Sequence, residues 1–402
     1  MNVVRALHRY GVASIAVLFE DPLVSLSHLP QRKIPVPGRS HEEKEANLRN
    51  ILLNMNAGDR PVLLPTSDRL LDFICAYRPE LEGKFSLLMP SSELVRTLND
   101  KAEETALVAG LGFPLPKTVA PLPVCAGELE ERLALPMMIK LRKHEFWSVL
   151  DRKNVIVRTH EELCRFYAKK SAFTHELIAQ ELIEGSDDAS WICSAAFDRR
   201  HQLASAAMKR KLRMAPPHFG DATVAISATN PELLDIVERM GRAMGCVGIA
   251  GFEFRWDRRD GQYKYIEMNP RLGSRCSSVE YDYDLGVPTA YTAYRLALDL
   301  PVSPMAGQRN GIVYREFDTD LLNRFRDHES LGSILRHHAA LSWQHQVHEQ
   351  YASLTDPLPA LRAWTRTLEK AVRKAGSRVR SLVPPYARPI ASPAGVTIPV
   401  KR

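Results

Sequence analysis

The sequence lacks the cysteine spacing and the apolar runs that would place the protein in several common classes. Its six cysteines never approach a C-x-x-C spacing, so neither a zinc site nor a dithiol redox site is indicated, and reduced thiols are expected. No run of about 18 apolar residues occurs, so no membrane-spanning helix is predicted. The first residues, MNVVRALHRYGV, lack the apolar core of about 7–15 residues that a signal peptide needs. These absences predict a cytoplasmic protein.

Several catalytic and binding motifs are missing as well. The sequence contains no G-x-x-x-x-G-K-[ST] phosphate loop, no G-x-S-x-G elbow and no C-G-x-C-W context. The glycine-rich stretch GRAMGCVGIAG (241–251) leaves a predicted helix and enters a predicted strand, which is the reverse of a dinucleotide-binding turn. The histidines at 337, 338, 345 and 348 lack the carboxylate base of a zinc peptidase, so a solvated surface is predicted for them.

The length and composition are those of a globular protein with several domains. A chain of 402 residues exceeds what one core usually holds, which predicts two to four domains. Hydrophobic residues make up 45% and charged residues 25%, both ordinary values. The net charge of +7 favours an anionic partner without choosing between a nucleotide, an acidic substrate, a membrane surface and a nucleic acid.

Hydrophobic periodicity predicts a β/α alternation in the first hundred residues. Helices are expected at 2–10, 42–55 and 68–77, with strands at 12–19 and 61–65, which indicates a parallel sheet with helical crossovers. The chain opens on a helix, whereas a doubly wound domain begins with a strand, so an initial strand is missing or replaced. Asp100 and Glu103 fit a capping box that opens the next domain.

The rest of the chain predicts a mixed region followed by helices. Strands are expected near 136–141, 154–158, 176–183, 190–197, 248–256 and 262–269, with helices near 160–170 and 231–244. From about residue 306 the pattern is mainly helical, and the last residues are rich in proline.

The stretch GFEFRWDRRDGQYKYIEMNP predicts a β-hairpin that turns at Asp260-Gly261. Glu253 and Glu267 both lie seven residues from Asp260, so they should face each other across the strands. Alternation places Phe252, Phe254, Trp256, Ile266 and Met268 on one face and Glu253, Arg255, Asp257, Tyr265, Glu267 and Asn269 on the other. Two interpretations remain open for the polar face: a magnesium site, or a solvated surface on which Arg255 offsets the acids.

Several lysines stand where a cation is unfavourable without an anionic partner. Lys101 lies in the first turn of a helix, whose positive dipole end disfavours it. Lys140 ends the apolar strand LPMMIK. Lys209, Arg210, Lys211 and Arg213 add a basic cluster. A solvated surface explains each one singly, and together they favour a polyphosphate ligand.

These segments resemble the ATP-grasp carboxylate–amine ligases, over roughly residues 60–305. The motifs that carry the resemblance follow in the family's order: DK (100–101), LPMMIK (135–140), AQELIEGSDD (179–188), GFEFRWD (251–257) and IEMNPR (266–271). LLPTSD (63–68) and SLTDPLP (353–359) are similar to the branch that contains D-aspartate ligase and related amino-acid ligases.

The resemblance implies an α/β and α+β architecture with the ATP-grasp fold. The implied division is a Rossmann-like domain at 1–98, whose first strand is missing, grasp subdomains at 99–185 and 186–305, a helical region at 306–385 and a Pro-rich tail at 386–402. The implied roles are ATP binding by Lys101, Lys140, Gln180, Glu181, Ile183 and Asp187, metal binding by Glu253, Glu267 and Asn269, and catalysis or substrate contact by Arg271, Lys211 and Arg213.

The implied reaction joins a carboxylate to an amine through an acyl phosphate, with ATP and Mg²⁺ or Mn²⁺. The expected partners are small molecules, such as an amino acid or an envelope or secondary-metabolite precursor; the resemblance leaves room for a homodimer and implies no nucleic acid. An alternative is an ATP-binding regulatory protein without turnover, and a carboxylase or a ligase with another nucleophile also stays open. The loop after Lys140 lacks the glycines that many relatives place over the phosphates, and Gly251 stands where some carry an arginine.

A last pattern concerns the segment 361–382, LRAWTRTLEKAVRKAGSRVRSL. Its apolar residues share one helical face, and basic residues dominate the other. This pattern fits peripheral contact with anionic lipid, and it equally fits a packing helix with a solvated basic face. Co-sedimentation with anionic liposomes separates the two.

Overall fold

The computed structural model describes residues 1–19, 23–150, 154–273, 275–367 and 369. The first region is built mainly of helices around short parallel strands. Its elements are α1 (Asn2–His8), β1 (Ile15–Leu18), β2 (Arg32–Pro35), α2 (His41–Asn54), α3 (Asp68–Ala76), α4 (Arg78–Glu82) and α5 (Ser92–Leu98). The chain therefore opens on a helix, as the sequence predicts.

The parallel sheet of this region is smaller than expected. β1 and β2 pair in parallel, with Ile15 opposite Arg32 and Leu18 opposite Pro35. The expected strand at 61–65 forms a single parallel bridge, between Val62 and Ser86. The sheet thus consists of two separate parts, because β1 has β2 as its neighbour and does not pair with residues 61–65.

The second region is a four-stranded antiparallel sheet covered by helices. Its elements are α6 (Lys101–Gly110), β3 (Thr118–Val119), α7 (Ala126–Arg132), β4 (Met137–Leu141), β5 (Asn154–Val157), α8 (His160–Lys170) and β6 (Leu177–Glu181). The strand order is β3-β6-β4-β5. Met137 and Ile139 of β4 are fully buried against Leu129 of α7 and Leu163 of α8. Lys140 follows these buried residues near the end of β4, where the second region borders the third.

The third region supplies most of a seven-stranded sheet, in the order β11-β10-β7-β8-β9-β12-β13. Its elements are β7 (Ser190–Phe197), β8 (Leu203–Ala215), β9 (Asp221–Ser227), α9 (Pro231–Met244), β10 (Gly248–Asp257), β11 (Gln262–Asn269), α10 (Val279–Asp284) and α11 (Thr289–Ala297). Helix α9 spans the predicted residues because Asn230 caps its first turn and Gly245, at φ +71°, ends it. It packs on the core residues Phe197 and Phe252.

The hairpin of β10 and β11 confirms the predicted pairing of Glu253 with Glu267, but its register is not uniform. A bulge after Glu253 pairs Phe254 with Tyr265, so the strand shifts by one residue. Tyr265 is therefore buried in the core at 3% exposure, and the prediction that it shares the polar face with Glu267 is wrong. Ile266, predicted on the apolar face, instead lines the cleft beside Glu267.

The region after residue 306 is not purely helical. Its elements are β12 (Val313–Arg315), α12 (Phe317–Arg326), α13 (Leu331–Gln344) and β13 (Val347–Glu349), followed by a helical segment at 358–367. β12 pairs antiparallel with β9, and β13 pairs parallel with β12. Strands of three residues are too short for a period-2 pattern to emerge, which is why the sequence predicted a mainly helical region.

The two ends of the described chain meet through a buried ion pair. Arg5 of α1 is 2% exposed and donates from Nε to Asp356 Oδ2 at 3.1 Å and from Nη2 to the Asp356 carbonyl at 2.7 Å. Asp356 belongs to SLTDPLP, so this motif fastens the C-terminal region onto α1. Glu280 lies 3.7 Å from the same guanidinium.

Two expectations lie wholly or partly outside the described residues. The Pro-rich tail at 386–402 lies outside them, and of the segment 361–382 only 361–367 and 369 are described, so its lipid contact stays a prediction. Within the described residues, no helix is long and apolar enough to cross a membrane.

Asp356→Ala tests the junction between the chain ends. It leaves the Arg5 guanidinium buried without its main partner, and we expect a loss of about 3–5 kcal/mol in unfolding free energy, measured by urea denaturation. Asp235→Ala, which removes an exposed pair with Arg239 on α9, is the matched control and should cost under about 1 kcal/mol. Equal losses for the two variants would contradict this role of Asp356.

Candidate active site

A cleft lies between the four-stranded and the seven-stranded sheets. Its cavity has a volume of about 110 Å³. Seven of the twelve residues singled out in the sequence line it: Lys140, Gln180, Glu181, Ile183, Lys211, Glu253 and Glu267. The structure thus brings these seven side chains, from distant segments, around one cavity, and their assigned roles stay predictions.

The floor of the cleft carries two carboxylates, each held by a lysine. Glu253 and Glu267 face each other across β10 and β11. Lys211 Nζ donates to Glu253 Oε2 at 2.7 Å, and Lys101 Nζ donates to Glu267 Oε2 at 3.2 Å. Like charges directly opposite on a sheet repel, so the two ammonium groups stabilise an otherwise unfavourable pair.

Asn269 and the two acids form the oxygen-rich end of this floor. Asn269 Nδ2 donates to Glu267 Oε1 at 3.4 Å, so the amide group lies against this carboxylate. Carboxylate and amide oxygens suit Mg²⁺, which usually keeps waters and phosphate oxygens as its other ligands. No group of three or more His, Cys, Asp or Glu side chains in the described ranges could hold a metal by itself. Two acids and one amide fit a metal that arrives with a phosphate ligand.

The lysines of the floor are held in their charged form. Burial alone would lower the pKa of Lys101, but Glu267, Glu104 and Glu253 outweigh it and raise the pKa above its ordinary value. Burial also lowers the pKa of Lys211, but the charge of Glu253 outweighs it and leaves this pKa above its ordinary value. Both side chains therefore remain cations throughout the neutral pH range, as a site for a polyanion requires.

Asp100 fixes the start of α6 and with it Lys101. Its carboxylate accepts from the amide of Ala102 at 3.0 Å and from Arg142 Nε at 2.8 Å. The amide of Lys101 also donates to the Arg142 carbonyl at 2.9 Å. The cap predicted from the sequence thus anchors the helix to the end of β4, and the rigid first turn aims Lys101 at Glu267.

Strand β6, which lies between β3 and β4, supplies the wall predicted to bind adenine. Lys140 Nζ donates to Gln180 Oε1 at 2.7 Å, and Gln180 Nε2 donates to Thr118 Oγ1 at 3.1 Å. Glu181 accepts from the Lys117 amide at 3.0 Å. Lys140 therefore lies at the junction between this wall and the floor. Its assigned phosphate contact stays a prediction.

Arg255 holds the chain that follows β6, a role that the sequence did not reveal. It is 5% exposed, and it donates to the carbonyls of Ile183 and Gly185, each at 2.8 Å, and to Ser190 Oγ at 2.7 Å. The interpretation of Arg255 as a solvated counter-charge to the acids is therefore wrong. The sequence signal for this role was an arginine within a strand of aromatic residues, because a cation buried there needs several hydrogen-bond acceptors.

Glu104 is a second residue that sequence reasoning missed. It lies on the buried side of α6 at 4% exposure, and its Oε1 accepts from Tyr265 Oη at 2.6 Å and from the Met268 amide at 3.0 Å. Burial raises the pKa of this carboxyl above its ordinary value, although Lys101 and both donors oppose the shift. Glu104 fixes β11 at the bulge, immediately beside Glu267. The sequence signal that Glu104 is buried was its position four residues before Val108, on the same face of α6.

Five of the twelve residues do not line the cavity. Lys101 and Asn269 contact Glu267, which does line it, and the other three have partners in neighbouring segments. Asp187 accepts from the amides of Met214 at 2.8 Å and His218 at 3.0 Å, so it fastens the end of β8. Arg213 pairs with Asp320 of α12 at 2.9 Å. Arg271 forms a bidentate contact with Asp68, the first residue of α3. These contacts give each residue a structural partner, and their proposed roles toward ribose or substrate stay predictions.

Comparison with known proteins adds to this geometry. No family model matches the sequence. D-aspartate ligase of Enterococcus faecium (strain Aus0004) is 26% identical over 226 residues, which are 53% of this chain and 53% of that protein. The chain thus matches about half the length of that relative.

Solved structures extend the likeness to most of the chain. The biotin carboxylase domain of the Hydrogenobacter thermophilus 2-oxoglutarate carboxylase, solved with MgADP and bicarbonate, matches at a TM-score of 0.58 with 17% identity, over 77% of this chain and 70% of that one. The L-amino acid ligase of Bacillus licheniformis matches at 0.54 with 19% identity, over 73% and 70%. The chain has the ATP-grasp fold. The resemblance to ATP-grasp carboxylate–amine ligases drawn from the sequence motifs is also confirmed.

The buried carboxyl of Glu104 makes a pH-dependent prediction for the ATP-grasp core. Its pKa is raised on folding, so the folded state holds the proton more tightly, and stability falls as the pH rises above about 4.5. Glu104→Gln removes this dependence while its Oε1 still accepts both hydrogen bonds. Measured by urea denaturation, the unfolding free energy of Glu104→Gln relative to the wild type should increase as the pH rises from 4.5 to 7.

Glu104→Ala is the companion variant. It leaves the Tyr265 hydroxyl and the Met268 amide without an acceptor, and it should cost about 1–3 kcal/mol at every pH. A pH-independent difference between Glu104→Gln and the wild type would show that the carboxyl does not titrate on folding.

Proposed function

We propose that the protein is an ATP-dependent, ADP-forming carboxylate–amine ligase that acts through an acyl phosphate. The observation that carries this proposal is the floor of the cleft, where Lys101 and Lys211 face Glu253 and Glu267. A set of fixed cations and paired acids suits a bound metal–triphosphate, because the reaction needs charge neutralisation more than it needs an activated nucleophile.

The described residues divide into three roles toward MgATP. The wall at Gln180–Ile183, held by Arg255, would read adenine through its backbone. Lys101, Lys140 and Lys211 would contact phosphate oxygens. Glu253, Glu267 and Asn269 would hold Mg²⁺, which would supply positive charge to neutralise the phosphates. Lys101 and Lys211 would then exchange their carboxylate partners for phosphate oxygens, so the two ion pairs keep the floor ordered until the nucleotide binds.

The chemistry assigned to the site is a two-step transfer. A substrate carboxylate oxygen attacks the γ-phosphorus, and the bond to the bridging oxygen of ADP breaks. The amine nitrogen then attacks the carbonyl carbon of the acyl phosphate, phosphate leaves, and the nitrogen loses a proton as the amide forms. The lysines stabilise the charge that builds on the transferring group, and closure of the cleft excludes water that would hydrolyse the intermediate.

An amino acid is the substrate class that we favour for this site. Two of the similar proteins are named as a D-aspartate ligase and an L-amino acid ligase. We assign the substrate carboxylate to Arg271, which contacts Asp68 of α3 and would exchange that partner for the substrate. A carboxylase domain is also similar in fold, so bicarbonate belongs among the acids to be tested.

A pairwise panel of carboxylates and amines tests the activity. The full chain is incubated with MgATP, and ADP, phosphate and product mass are followed. We expect ADP release that requires both a carboxylate and an amine, with an amide in the mass spectrum. ATP binding without turnover over the whole panel would favour a regulatory protein, and turnover with bicarbonate alone would favour a carboxylase.

Glu267→Gln tests the metal assignment. The substitution keeps the shape of the side chain and removes the charge that would hold Mg²⁺, so we expect ADP release to fall by about 10²–10³-fold. Glu238→Gln, on the exposed side of α9, is the control and should leave the rate unchanged. Full turnover by Glu267→Gln would refute the role of this carboxylate.

A further inference from the structure

One part of the cleft has no role in the account given so far. The cavity is lined by the wall at Gln180–Ile183 and by the floor at Glu253 and Glu267. A nucleotide that reached both would place its ribose between them, because the ribose joins the base to the phosphates. The turn between β8 and β9 also lines the cavity, through His218, Phe219 and Gly220.

This turn is fixed against the chain that leaves the predicted adenine wall. Arg255 donates to the Gly185 carbonyl at 2.8 Å and to the His218 carbonyl at 3.5 Å, so one guanidinium joins the two segments. The Phe219 ring lies 5.7 Å from the same guanidinium carbon. A Cβ at Gly220 would lie 2.1 Å from the carbonyl carbon of Ala215, so only glycine fits there. The turn therefore lies where the sugar would continue from the base.

Asp187 fixes both the backbone and the ring of His218. The φ of His218 is +69°, in the left-handed region that few residues other than glycine adopt. Asp187 Oδ1 accepts from the His218 amide at 3.0 Å and lies 2.8 Å from its Nδ1, while Oδ2 accepts from the Met214 amide at 2.8 Å. Both oxygens of the carboxylate thus have partners. Asp187 itself does not line the cavity, whereas the histidine that it holds does.

The contact with Asp187 determines what the other ring nitrogen of His218 offers. A carboxylate against Nδ1 makes that nitrogen the donor, so Nε2 of the uncharged ring is a hydrogen-bond acceptor. Nε2 lies on the other side of the ring and is directed away from Asp187. The His218 side chain is 56% exposed, against 13% for Asp187. The hydroxyl of Ser190, which also lines the cavity, already accepts from Arg255.

We propose that His218 Nε2 accepts a hydrogen bond from a ribose hydroxyl of the bound nucleotide and that Asp187 is the positioning residue for its ring. The inference rests on the proposed function, since it assigns a further contact to the same MgATP. It moves the sugar contact from Asp187 to the residue that Asp187 holds. The site thereby selects ribonucleotides, because a deoxynucleotide lacks one of the two hydroxyl donors.

Calorimetric titration of the full chain with three nucleotides tests this contact. ATP, 2′-deoxy-ATP and 3′-deoxy-ATP are titrated with Mg²⁺ into the wild type and into His218→Gly. The wild type should bind ATP about three- to tenfold more tightly than the analogue that lacks the bonded hydroxyl. Glycine adopts φ +69° without strain, so His218→Gly reports the loss of the ring. It should bind ATP more weakly by the same factor and should not distinguish ATP from either analogue.

Two further variants separate positioning from a structural role. Asp187→Ala frees the ring of His218, so the preference for ATP over the analogue should fall towards one. A purely structural role of Asp187 would weaken the binding of all three nucleotides by the same factor. His160→Ala is the matched control, because His160 Nδ1 lies 2.6 Å from Glu130 Oε2 in a histidine–carboxylate pair outside the cleft. It should leave all three affinities unchanged.

The outcomes distinguish this inference from the proposed function. If the wild type binds no ATP, both are overturned. If the wild type binds ATP but binds all three nucleotides with equal affinity, the sugar contact is overturned and the proposed function stands. A preference for ATP that survives in His218→Gly would also overturn the sugar contact alone.

Discussion

The candidate site depends on two ion pairs, Lys101 with Glu267 and Lys211 with Glu253. The hairpin register places both carboxylates opposite each other, an arrangement that costs free energy unless cations lie close by. One cation comes from the first turn of α6 and the other from β8, so the pairs join three elements that are distant in sequence. The charges that hold the floor together are the same ones that a metal–triphosphate would engage.

The surrounding structure serves to keep these four side chains in place. Asp100 ties the start of α6 to the end of β4, and Glu104 ties the other side of α6 to β11 beside the bulge. Arg255 binds the chain after β6 to β10, which connects the wall of the cleft to its floor. Buried polar groups of this kind stabilise only when every donor and acceptor is satisfied, and Arg255 and Glu104 each make more than one hydrogen bond.

The sequence predicted which side chains meet at the cleft better than it predicted their individual contacts. Glu253 and Glu267 could be paired by counting from the turn, and Lys101 was conspicuous at a helix start because the dipole disfavours it there. The bulge that buries Tyr265 could not be predicted, because one extra residue moves the following side chains to the other face of the sheet and leaves no mark in the strand's composition. The partners of Arg255, Asp187 and Arg271 come from distant segments, so spacing carried no sign of them. Strands β12 and β13 were too short to show a period.

The most direct measurement is the affinity of the full chain for ATP with and without Mg²⁺, by isothermal titration calorimetry, in the wild type and in Glu253→Gln. If the carboxylates hold a metal that bridges the phosphates, Mg²⁺ should tighten binding by about tenfold or more in the wild type, and the variant should lose most of that gain. Equal affinity with and without Mg²⁺, or an undiminished effect of Mg²⁺ in Glu253→Gln, would contradict the account.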